Sequence, residues 1–247
     1  MNDTIDRSAG ARLVCGCASG ACAGHGLAPP ALPRRRLLAL GAGLAASPFI
    51  PRTARAQSTL KPDEALKRLM DGNARYVAVN LNSFKEDLDI LRAHTVEKQE
   101  PFAAVLSCAD SRVPVELVFD QSIGHLFVCR LAGNIATPEV IASLEYAGAV
   151  LGIRAIVVLG HSKCGAVAAT IKGSAVPGQI SALYPRIRPA VDLAGSDTEA
   201  ATKANARIQA ALLAEASTVI SDLVKTNKMK VVAAYYDVTT GTITLLH

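Results

Sequence analysis

An α/β fold is what this sequence predicts, with a mostly parallel central β-sheet flanked by helices and ending in a C-terminal hairpin. Short, continuously apolar runs at 102–107, 126–131, 155–159 and 231–236 each have the length and character of a strand buried on both faces. Stretches of helical periodicity lie between them, and strands alternating with helices imply parallel pairing. The last run continues through Thr-Thr-Gly-Thr (239–242) into the short apolar run 243–246, which reads as a hairpin.

Taken in order, residues 61–79 (KPDEALKRLMDGNARYVAV) form the first helix. Pro62 suits a first turn, Asp63 and Glu64 suit its positive end, and Leu66, Leu69, Met70 and Val77 make an apolar stripe. A polar segment follows to about Gln99. Helical patterns then cover 138–151, 165–172 and a long stretch at 198–224, with Ile208, Leu212, Ala216, Val219 and Leu223 on one face. There is no internal repeat and no second globular domain. The chain of 247 residues is 50% hydrophobic and 19% charged, an ordinary globular composition.

Residues 1–56 are set apart as a leader. RRRLLALGAGLAASPFIPRTARA (34–56) places an arginine cluster before a modest apolar stretch and ends in Ala54-Arg55-Ala56, a small-x-small cleavage site. Paired arginines, one residue, then Leu37-Leu38 resemble a twin-arginine export signal, which predicts a periplasmic protein starting near Gln57. The apolar stretch is too short to span a bilayer, so no stable membrane span is expected. The leader holds seven arginines against Asp3 and Asp6, so the formal net charge of +5 belongs to it, and residues 57–247 are balanced. Nothing there suggests a nucleic-acid partner. Cys15, Cys17 and Cys22 also fall in the leader, near His25, at a spacing that fits no zinc signature.

Cys108, Cys129 and Cys164 remain. An exported protein that keeps an odd number of thiols needs something to occupy them. Cys129 lies mid-strand and reads as a buried thiol. Cys108 follows the first strand in CADSR; His161 and Cys164 follow the third in GHSKCG. Two strand ends of one parallel sheet bring these side chains to the same edge, where open α/β sheets bind ligands. Two thiolates and an imidazole suit Zn²⁺, and three protein ligands leave a fourth position open, as in catalytic sites. The other reading is a pair of buried thiols beside a core histidine. Asp110 and Arg112 fit as a bidentate pair that holds a carboxylate ionised beside the metal; a local salt bridge capping a turn is the alternative.

The paired motifs C-A-D-S-R and H-S-K-C-G, spaced as here, resemble those of the β-class carbonic anhydrases. The likeness extends through DGNARY, FVCRLAGN, EYAG and YYDVTTGT across nearly all of 57–247. It implies one zinc per chain held by Cys108, His161 and Cys164, with Asp110 and Arg112 as the family's dyad. The implied reaction is reversible hydration of CO2 to bicarbonate and a proton by zinc-bound hydroxide. The resemblance also implies a homodimer or higher oligomer sharing its cleft between subunits. Within the family the plant-type, open-zinc branch lines its CO2 pocket with a Gln, a Phe and a Tyr, matched by Gln99, Phe127 and Tyr146. Leu131, His125 and the Ala-Val after Cys164-Gly165 depart from the usual pattern. His125 reads as a surface histidine rather than a proton shuttle. Alternatives are hydrolysis of COS or CS2 on the same zinc, a non-catalytic zinc-binding protein of the same fold, and a metal-free Cys–His nucleophile.

Overall fold

The computed structural model describes residues 58–83, 93, 95–96 and 98–247, so expectations for the leader lie outside it. Strands β1 (Ala103–Ser107), β2 (Leu126–Arg130), β3 (Ala155–His161), β4 (Lys230–Tyr236) and β5 (Ile243–Leu246) form one sheet in the order β2-β1-β3-β4-β5. All pairings are parallel except the terminal β4–β5 hairpin, as the alternation of strands and helices predicts. Every residue of β1 and β3 is buried, because both faces of the sheet are covered.

On one face, Leu66 and Leu69 of helix α1 (Pro62–Val77) pack with Val105, Phe119, Val157 and Tyr236. Short helix α2 (Val115–Val118) lies on this side. On the other face, Leu106, Ile156 and Val158 meet Leu144 of α3 (Pro138–Ala149), Leu213 of α6 (Thr198–Ala216) and Ile220 of α7 (Thr218–Lys225). Alternate residues of one strand thus feed two cores, which is why the strands read as unbroken apolar runs. A smaller cluster joins Cys108 and Cys164 to Val167 of α4 (Gly165–Lys172) and Ile187 of α5 (Tyr184–Ala194).

Sequence and structure differ at several ends. The helix expected over 198–224 is two helices, because Ser217 breaks it. The Ser217 hydroxyl accepts from the Ile220 N–H at 3.0 Å, capping α7, and donates to Glu145 at 2.6 Å. Helix α5 lies outside the helical patterns read from the sequence; Pro185 occupies its first turn, where its missing N–H costs nothing. α1 ends at Val77 because Val79 turns left-handed, with φ +54°. β3 runs two residues longer than expected, since Gly160 and His161 pair with Tyr235 and Tyr236.

The DGNARY segment packs within its own chain. A Cβ on Gly72 would stand 1.8 Å from the Phe119 carbonyl oxygen, so only glycine allows this approach. Asn73 donates to the carbonyls of Val118 (3.0 Å) and Gly241 (2.8 Å) and accepts from the Ile243 N–H at 2.9 Å, tying α1 to the hairpin. Arg75 pairs with the buried Asp120.

Candidate metal centre

β1 lies between β2 and β3, so the chain leaves it in one direction and returns on the other side, making a topological switch point at its carboxyl end. The register Ser107↔Leu159 carries Cys108 level with Gly160, one residue from His161. After His161, Ser162 and Lys163 form a turn rather than the start of a helix; Lys163 sits at φ +56°. That left-handed residue returns the chain so that Cys164, extended, precedes α4 as its N-cap.

The outcome is that one sulfur of Cys108, one of Cys164 and a ring nitrogen of His161 all lie within 4.8 Å of one another, and all three residues are buried. The His161 Nδ1 lies 2.9 Å from the Ser162 carbonyl oxygen. A carbonyl only accepts, so Nδ1 carries the proton and Nε2 keeps its lone pair. Nε2 is buried with no hydrogen-bond partner. An unpartnered, buried lone pair facing two sulfurs is what a metal ligand looks like without its metal.

Charge supports the same conclusion. The neighbouring Cys164 thiol pulls the Cys108 thiol well down, aided by His161 and by the Gly133 N–H at 3.3 Å. The adjacent Cys108 sulfur, burial and the Cys108 charge push Cys164 up, although the first N–H groups of α4 face its sulfur. The site therefore accommodates one negative sulfur and resists the second, a deficit that a cation cancels. Two thiolates and an imidazole suit zinc, a borderline-soft ion, better than a hard, oxygen-seeking one.

Asp110 faces this centre, with Oδ2 3.9 Å from His161 Nε2. Arg112 grips it from the far side. Its Nε donates to Oδ1 at 2.9 Å, its Nη2 to Oδ2 at 2.8 Å, and its backbone N–H to Oδ1 at 2.9 Å. These bonds hold the Asp110 carboxyl far below the usual carboxylate range. Arg112 Nη2 also donates to the Lys163 carbonyl at 3.1 Å, linking the two motif loops. Sequence reasoning missed Arg130, which donates to the carbonyls of Cys108 (3.0 Å) and Asp110 (2.5 Å) and braces the CADSR loop. An arginine closing an apolar strand was its only signal.

The remaining expected residues lie elsewhere. Phe127 and Tyr146 meet each other, ring centroids 6.5 Å apart. Phe127 pairs in register with Ala104, four residues before Cys108, or about 13 Å along the strand. Gln99 is exposed ahead of β1. Cys129 is half-buried on β2, and burial pushes its thiol up. His125 precedes β2 at the opposite end of the sheet, beside Arg68 and Phe102, away from its own chain's metal centre.

The sequence profile of the carbonic anhydrase family matches residues 103–243. A carbonic anhydrase of Mycolicibacterium smegmatis is 41% identical over 134 residues, covering 53% of this chain and 65% of that protein. Carbonic anhydrase 2 of Mycobacterium tuberculosis is 34% identical over 188 residues, covering 73% of this chain and 90% of that protein. The fold matches a tetrameric β-carbonic anhydrase of Sordaria macrospora with a TM-score of 0.60 at 21% identity, over 74% of this chain and 97% of that one. The chain belongs to the β-class carbonic anhydrases.

Proposed function

We propose that the protein hydrates CO2 reversibly at a single zinc held by Cys108, His161 and Cys164, with Asp110 and Arg112 acting on the reacting water. The observation that carries this is the lone, buried Nε2 of His161 converging with two sulfurs at the edge where Asp110 points. Zinc, when bound there, supplies a Lewis acid that lowers the pKa of water toward neutrality. Asp110, kept ionised by Arg112, only accepts hydrogen bonds. It takes the proton-bearing side of the water and turns a lone pair toward CO2. Arg112, bonded to both Asp110 and Lys163, fixes that orientation. Because two sulfurs donate more charge than neutral imidazoles, activity rises toward alkaline pH.

The paired Asp110–Arg112 geometry supports the plant-type, open-zinc branch, in which the carboxylate is engaged by arginine and leaves the metal's fourth position free. In that reading Gln99, Phe127 and Tyr146 line the CO2 pocket. Their separation from the metal centre within one chain favours an active dimer or larger oligomer in which they face a second subunit's zinc. Residues 57–247 are the single enzyme domain. Residues 1–56 are a removable twin-arginine leader directing it to the periplasm; folding around zinc before export protects Cys108 and Cys164 from wrong disulfides. Replacing Arg34, Arg35 and Arg36 by Lys together strands the full-length enzyme in the cytoplasm, and processed periplasmic enzyme from that variant would refute the route.

Gas competition tests the substrate. Stopped-flow assays of the purified protein should show CO2 turned over with COS as a weak competitor. Efficient COS or CS2 hydrolysis without CO2 hydration would move the assignment to those analogues.

A further inference from the structure

Behind Cys108, a short 3-10 turn (Ala132–Asn134) is held by a buried polar network that the reaction does not use. Gly133, at φ +75°, directs its N–H to Cys108 Sγ at 3.3 Å. Its carbonyl accepts from Asn205 Nδ2 of α6 at 2.8 Å. Gln209, one helical turn on, donates to Asn205 Oδ1 at 3.3 Å and accepts from the Ala136 N–H at 2.9 Å. Its Nε2 also donates to the Arg186 carbonyl at 3.1 Å. Asn205 and Gln209 are 0% and 2% exposed. Burying two amides is unfavourable unless each is bonded, and packing alone would be served better by an aliphatic residue such as Leu213 further along α6. What the amides add is direction. They pin both sides of the one left-handed glycine whose N–H faces the sulfur.

We propose that Asn205, supported by Gln209, is a positioning residue for the metal thiolate. It fixes the Gly133 turn so that the N–H stays on Cys108 Sγ and the sulfur's remaining lone pairs point to the metal. This rests on the reading that Cys108, His161 and Cys164 hold zinc. Groups that orient metal ligands typically change metal affinity or activity 10- to 100-fold when lost.

The test uses Asn205→Asp, which keeps the shape but replaces the donor, and Gln209→Met, which removes the support and carries the test if the first variant does not fold. Leu213→Ala is the control, buried on the same helix about 12 Å beyond Asn205. Zinc affinity is read by competition with a chromophoric chelator, and thiolate geometry by the sulfur-to-metal charge-transfer band of the Co²⁺-substituted protein. Asn205→Asp should weaken zinc binding about 10-fold or more and shift the band, with Gln209→Met moving both the same way to a smaller extent. Leu213→Ala should lower Tm and leave both readouts unchanged. A folded Asn205→Asp or Gln209→Met protein with wild-type affinity and spectrum would overturn the proposal. So would a Leu213→Ala protein that loses zinc as readily. A wild-type protein that binds no zinc in the same titration would remove the metal-site reading itself, a different failure.

Discussion

Asp110 accepts three hydrogen bonds from Arg112, and their geometry decides what the carboxylate does. A planar guanidinium holding both oxygens orients the group as well as ionising it, which a lysine could not reproduce. Asp110→Asn keeps the shape, removes the charge and offers a donor where only acceptors serve. It should cut CO2 hydration about 10- to 100-fold while zinc content stays near wild type. Turnover near wild type in a zinc-replete Asp110→Asn protein would reduce the pair to a structural salt bridge. At this scale the metal trio was legible because thiols and an imidazole just past buried strands have few other uses. Arg130, Gly133 and Asn205 were not legible. Each acts through backbone groups or from a distant helix, and such bonds leave no spacing pattern in the sequence.

Buried polar side chains tie individual elements together alongside the apolar ones. Asp120 follows α2 with its carboxylate fully buried. Burial alone would raise its pKa, but Arg75, the Ser83 N–H and hydroxyl and the Asn82 N–H outweigh it, and the net shift is downward. A carboxyl whose folded pKa lies below its unfolded value of about 3.9 adds stability that is complete above roughly pH 5 and drains away as pH falls toward the folded value. Wild-type Tm should therefore drop below about pH 5, through about pH 4 and lower, more steeply than that of Asp120→Asn, whose Tm at neutral pH is already lower. Parallel Tm-against-pH lines for the two proteins would show that Asp120 adds no acid sensitivity. β1 and β3 were readable in advance because both their faces are buried, so hydrophobicity alone marks them. The break at Ser217 and helix α5 were hidden. A serine within a good helical stripe and prolines within an apolar segment carry the opposite local signal from the structure they adopt.

At the scale of the molecule, β2 is a sheet edge whose strand is only half-buried, next to the partly exposed Phe127–Tyr146 pair. Edge strands of this kind are normally covered. A second subunit there would both close the edge and bring the aromatic pair proposed to line the CO2 pocket toward a neighbouring metal centre. Light scattering should report at least twice the chain mass at assay concentration; a fully active monomer would contradict the shared cleft. Fold class was legible from the order of strands and helices, whereas an oligomer was expected only from the family resemblance, because residues that would join subunits have no reason to be near one another in sequence. The central claim is that one zinc, held by Cys108, His161 and Cys164, carries the activity. Its most direct test is the CO2 hydration rate of metal-stripped protein followed as zinc is added back. The account predicts no activity at zero zinc, a linear rise and a plateau at one zinc per chain, with Cys164→Ser staying flat. Activity in the stripped protein, or a Cys164→Ser curve that matches wild type, would contradict it.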